Sequence, residues 1–185
     1  MTLRPVLVST LVVLSVLLTG CGGVAAPEPR TFDLGLDAPA GRIGGVRIGF
    51  VRAVAPFDST DMQYRLAYRN AAEIAAYANS RWAATPAEML RKQLLRATGD
   101  GVSKCVLEVE IQEFSQVFGA KEASDARIEL RAGLSSGARS LARRFTVIEG
   151  NSGPDAMSGA AAIARAANRM IGEIGAWAAA QPDCR

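Results

Sequence analysis

Apolar residues fall along this chain in three rhythms, and each rhythm implies a different kind of segment. From residue 6 to residue 18 they run almost unbroken, interrupted only by Ser9, Thr10 and Ser15. From residue 31 to residue 148 they mostly alternate with polar residues, the period of half-buried strands. Beyond residue 155 they recur every three or four positions, the period of a helix with one buried face.

The alternating region divides at its glycines and prolines. It predicts strands over residues 31–36 (TFDLGL), 46–54 (VRIGFVRAV) and 62–69 (MQYRLAYR), with a turn at Asn70-Ala71-Ala72 and a short return strand over 73–77 (EIAAY). Further strands are expected over residues 104–118, 123–134 and 140–148, the last two joined by a hairpin loop at Ser135-Ser136-Gly137. In the first of these, Leu107, Val109, Ile111 and Glu113 fall on one side, and Glu108, Glu110 and Gln112 on the other. The glycines Gly41, Gly44 and Gly45 lack the spacing of a phosphate-cradling loop and read as a turn.

Two helices are expected. The first starts at a capping box, with Thr85 as N-cap, Pro86 at the first helical position and Glu88 at the third. Met89, Leu90, Leu94 and Leu95 form its apolar face, and Gly99 and Gly101 end it. The second covers residues 155–180, where Ile163, Ala167, Met170, Ile174 and Trp177 make a core-facing stripe. Its alanine-rich back suits either close packing on a sheet or a subunit contact. Short connections between strands favour antiparallel neighbours. The expected fold is therefore α+β, with two layers: a mainly antiparallel sheet and two helices packed on one face.

The unbroken run near the amino terminus is too short to span a bilayer, which needs about 20 apolar residues. With Arg4 before it, it has the length of the apolar region of a cleaved secretory signal. Leu18-Thr19-Gly20-Cys21 then resembles the lipobox of bacterial lipoproteins. That resemblance implies a signal peptide over residues 1–20, fatty acyl chains such as palmitate on Cys21, and a tether over residues 21–30. The domain is then residues 31–185. Gly22 in place of aspartate favours the outer membrane, with the domain facing the periplasm.

The remaining composition mostly excludes. Removing the first 20 of 185 residues leaves 165, enough for one core, and 20 basic residues against 18 acidic ones. That balance does not suit a nucleic-acid partner. There is no histidine, which removes the commonest general base and zinc ligand and every histidine-based nucleophile arrangement. No metal, cofactor or enzymatic activity is expected. Cys105 and Cys184 remain, and in an oxidising compartment they read either as a disulfide or as two separate thiols.

One stretch carries a family likeness. Tyr64-Arg65-Leu66-Ala67-Tyr68, Tyr77, Arg81-Trp82-Ala83 and Pro86, followed by Gln112-Glu113-Phe114, resemble the ABC-type transport auxiliary lipoprotein family. The family includes the paraquat-inducible lipoprotein. The resemblance implies an auxiliary lipoprotein that docks or positions an MCE-domain protein working with an ABC transporter. Such systems carry lipids or other hydrophobic compounds between membranes, and homo-oligomers are compatible with the family. An envelope-assembly accessory, serving outer-membrane or lipopolysaccharide assembly, is the alternative. Tyr64, Tyr68, Tyr77, Arg81 and Trp82 are the candidate partner or groove residues, since such residues dominate binding hot spots. They read also as core anchors that pack the first helix on the sheet.

Overall fold

The computed structural model describes residues 28–37, 39, 41–99, 101–150 and 153–184. Seven strands form one sheet: β1 (Arg30–Phe32), β2 (Val46–Ala53), β3 (Asp61–Arg65), β4 (Ala75–Trp82), β5 (Cys105–Ala120), β6 (Ala123–Ser136) and β7 (Arg139–Gly150). Three helices accompany them: a single turn α1 (Ala67–Asn70), then α2 (Pro86–Ala97) and α3 (Ala156–Ala179). The fold is α+β. The strand order is β1-β4-β3-β5-β6-β7, with β2 also paired to β5.

The long antiparallel ladder β5–β6–β7 is the body of the sheet. Its hairpin turns at Gly137, whose φ of 56° suits a residue without a side chain. β1, β2 and β3, however, join through parallel ladders, to β4, β5 and β5 respectively. The sheet is thus mixed: consecutive neighbours pair antiparallel, as short connections imply, and the parallel ladders join strands that do not follow one another in the chain. β2 and β3 are joined by a short loop but do not pair. They lie end to end along one edge of β5, which at 16 residues is long enough to hold both.

Three strands depart by more than two residues from the sequence expectation. β1 stops at Phe32, because the Gly35 amide donates to Asp33 Oδ1 at 2.8 Å and Gly35 takes a φ of 79°. The chain then crosses the helices before entering β2. β3 stops at Arg65, although the alternation continues to Arg69. The amides of Arg69 and Asn70 donate to the Leu66 carbonyl and wind α1 instead. β4 starts later than predicted and continues through Trp82, so Arg81 and Trp82 belong to a strand.

α2 begins at the capping box that its sequence announces. The Glu88 amide donates to Thr85 Oγ1, and the Thr85 amide donates to Glu88 Oε2. Hydrogen bonds donated by the Thr85 hydroxyl, and then by the Thr85 amide, hold the Glu88 carboxyl below its ordinary range. Met89, Leu90 and Leu94 are buried, but Leu95 is 49% exposed. Five residues of helix turn it away from the face that Leu90 occupies.

α3 packs across β5, β6 and β7 and touches α2 beside it, so both helices cover one face. Ile163, Ala167, Met170 and Ile174 are buried, and Trp177 meets the Phe145 ring at 5.6 Å. The alanine-rich face goes to the sheet: Ala160, Ala162, Ala166 and Ala178 are buried within this one chain. Small residues let the helix approach closely. A side chain at Gly175 would begin 2.9 Å from the Arg42 carbonyl oxygen of the crossing segment.

The structure joins Cys105, at the start of β5, to Cys184 in the closing 3-10 turn, with Cα atoms 5.2 Å apart. Cys21 and the signal-peptide and lipobox expectations lie outside the described residues. No helix among the described residues is long and apolar enough to cross a membrane.

Candidate functional site

The five aromatic and basic candidates do not form one cluster. Their elements send them to three places. Tyr64 on β3 and Tyr77 on β4 come together on the helix side of the sheet, with ring centroids 4.7 Å apart, and Phe118 meets Tyr64 edge-on at 6.1 Å. Trp82 is fully inside the core, 1% exposed, with its ring edge-on to Phe114 at 5.6 Å. Tyr68 stands on α1, 39% exposed, and Arg81 is exposed on the β4 strand. Trp82 is therefore a packing residue rather than a surface anchor, and Tyr68 and Arg81 are the two of the five left at the surface.

Tyr77 opens a buried polar chain that the alternation alone does not reveal. Its hydroxyl donates to Gln116 Oε1 at 2.8 Å, and Gln116 Nε2 donates to Ser124 Oγ at 2.8 Å. Gln116 is wholly buried beneath the first turn of α3, where Gly159 leaves room for it. A side chain at Gly159 would begin 2.1 Å from Gln116 Oε1. With both its amide groups hydrogen-bonded, Gln116 has no easy retreat.

Burial pushes the Tyr77 phenol well above its ordinary value near 10, with smaller contributions from Tyr64 and Asp155. The folded chain keeps this proton when the unfolded chain loses it, so the contribution is complete below pH 10 and is lost as pH rises beyond it. Urea midpoints taken from pH 9 to pH 11 are expected to fall more steeply for the wild type than for Tyr77→Phe. Parallel curves would show that the phenol does not contribute.

A second polar group was hidden by a bulge. Between Ile111 and Glu113 the β5–β6 register shifts, which moves Glu113 to the face opposite Leu107, Val109 and Ile111 rather than alongside them. There it meets Arg65, whose Nη2 and Nε donate to its two carboxylate oxygens at 2.8 and 3.3 Å. Ser115 Oγ also donates to Glu113 at 2.5 Å, and Arg65 Nη1 reaches the Ala71 carbonyl at 3.2 Å. The pair lies under α1, its side chains only 18% and 12% exposed. Arg65 thus fastens α1, and Tyr68 with it, to the sheet. The one sequence signal for this group was Glu113 falling in line with apolar residues.

The rest of that sheet face is open and charged, as the alternation implies. Arg52 pairs with Glu110 at 2.5 Å, and Arg127 pairs with Glu129. The hydrogen bond from Arg52, with a second from Gln112, holds the Glu110 carboxyl below its ordinary range. Among the described residues, no group of three or more cysteines, aspartates and glutamates is arranged to hold a metal ion.

The fold is shared with known structures. A crystal structure of a Xanthomonas campestris protein assigned to the family DUF330 superposes with a TM-score of 0.65 at 22% identity, over 80% of this chain and 93% of that one. An uncharacterized protein gives the same TM-score at 12% identity, over 81% of this chain and 98% of the other. At these identities the likeness shows the fold. No family model matches the sequence, nor does any curated protein.

Proposed function

We propose that this protein is a non-enzymatic, lipid-anchored docking component of an ABC/MCE-type system that moves lipids or other hydrophobic compounds between the two membranes. The observation that carries the reading is the chain's own order: a lipobox at residues 18–21, then the Tyr64-to-Pro86 family pattern on β3, α1, β4 and the start of α2. The fold shared with a DUF330 protein over most of its length supports the reading at the level of architecture.

The geometry also suits docking. The sheet leaves one face largely uncovered, and α1 raises Tyr68 above that face on a base held by the Arg65–Glu113 pair. An exposed tyrosine on a firmly held turn is a good contact residue, because little side-chain freedom is lost when a partner covers it.

In-cell crosslinking from position 68, followed by mass spectrometry of the captured proteins, tests this. Capture of an MCE-domain protein is the expected result, together with acyl chains on Cys21. Capture of outer-membrane assembly proteins instead would favour the envelope-assembly reading.

A further inference from the structure

β7 closes one end of the strand order, and part of its outer edge is left without a partner. The turn at Gly137 and Ala138 has two residues, which makes Ser136 and Arg139 a hydrogen-bonded pair, and β6 and β7 keep one register from there to Gly150. Along such a ladder the backbone groups of odd-numbered β7 residues turn to β6, and those of even-numbered residues turn outward. Side chains of α3 agree with that direction at the far end. Arg169 donates to the Ile148 carbonyl and Arg165 to the Gly150 carbonyl, which caps these two outward groups. Ser140, Ala142, Arg144 and Thr146 have no such cap. Among the described residues their outward amides and carbonyls have no hydrogen-bond partner, and all four residues are exposed.

A free strand edge is a template for another strand, and the side chains beside it decide which strand fits. On the open face, Arg144 forms no ion pair among the described residues and has Arg131 as its cross-strand neighbour. Glu129, diagonally across on β6, is already engaged by Arg127. On the helix face, Arg143 lies over the Phe145 ring, 4.9 Å from its centroid. It borders a shallow hollow of about 490 Å³ that it shares with Glu173, Ala176, Trp177 and Ala180. At the turn, Arg139 is paired with Asp183 at 3.1 Å. The edge therefore carries more positive charge than its neighbours offset. A two-fold pairing of this edge with its own copy, centred on the free stretch, would set Arg143 against Arg143, and directly opposed like charges are destabilising.

We propose that β7 binds an extended segment of a partner protein as an added strand, one in which acidic residues alternate with apolar ones. Ser140 to Thr146 supply the main-chain hydrogen bonds. The acidic side chains of the added strand meet Arg144 on the open face, and its apolar side chains enter the hollow beside Trp177 on the other. The same arginines that repel an identical copy thus admit a segment of opposite charge. This edge is separated from β3 and Tyr68 by β5 and β6, so the inference does not rest on the docking reading.

The probe is a fluorescein-labelled peptide of alternating glutamate and valine, about eight residues long, enough to cover the free stretch at about 3.4 Å per residue. It is titrated by anisotropy against the purified full-length protein in phosphatidylcholine nanodiscs. It is expected to bind several-fold more tightly than a lysine–valine counterpart and to slow hydrogen exchange within residues 139–148. Arg144→Glu is expected to reverse that preference. Ala142→Pro removes one outward amide and leaves the inner ladder intact, as proline on an edge strand allows, so it is expected to abolish binding with little change in melting temperature. Should that variant fold poorly, the same peptide N-methylated at every residue keeps its charges, loses its donors and is expected not to bind the wild type. Equal binding of the two peptides, binding that survives N-methylation, or no binding into the millimolar range would overturn the proposal. So would slow exchange over residues 139–148 without peptide that follows the protein's self-association, which would assign the edge to a second copy.

Discussion

Replacing Trp82 with alanine is expected to lower the unfolding free energy by about 3–5 kcal/mol, the range for removing a large buried aromatic ring. The side chain is 1% exposed, and it packs against Phe114 at the centre of the sheet's helix-facing side. Its indole N–H has no hydrogen-bond partner among the described residues, so the site uses the ring for its apolar bulk. Trp82→Phe keeps much of that bulk and removes the unpaired donor. It is expected to cost clearly less than Trp82→Ala. Urea titrations measure both, with a shift in midpoint at constant slope marking a change in stability alone. A Trp82→Ala protein of unchanged stability that no longer captures its partner would restore Trp82 as an interface residue.

The second large effect is expected at the disulfide. Cys105 and Cys184 are both buried and are separated by 79 residues of sequence. Restraining a loop of that length removes much freedom from the unfolded chain, and its loss costs typically 2–5 kcal/mol. Cys105→Ser with Cys184→Ser is therefore expected to melt lower by roughly 2–4 °C for each kcal/mol lost. Dithiothreitol should bring the wild type to the same point. A wild type that does not respond to reductant, with free thiols at both positions by mass spectrometry, would remove the bond from the account.

How far the sequence announces this fold depends on how local each signal is. The capping box at Thr85 and Glu88 needs only four residues, and the helix starts where it says. The β5–β6–β7 ladder follows from alternation and one hairpin loop. What alternation cannot show is pairing across distance. Nothing near residues 46–53 or 61–65 tells that both segments lie along one edge of β5, in parallel.

The candidate site was legible to a similar degree. Tyr64 and Tyr77 do meet, but period two could not separate Trp82, which is buried, from Arg81, its exposed neighbour, because the sequence pattern placed the end of β4 too early. Gln116 and Glu113 were hidden for another reason. Each depends on a feature without a local sequence signature: a bulge in β5, or a glycine on a helix that arrives 43 residues later, from 116 to 159.

The segment that crosses the helices has a mechanical consequence. β1 holds the sheet by three register pairs at its outer edge, so a pull on the amino-terminal chain loads that ladder first. Behind it, Gln93 and Arg96 of α2 donate to the carbonyls of Gly35 and Leu36, and the Ile43 amide donates to Ala97. These bonds form a second clamp, on the helix layer. Tension that peels β1 away would stop there, leaving β2 and the ladder beyond it unstrained.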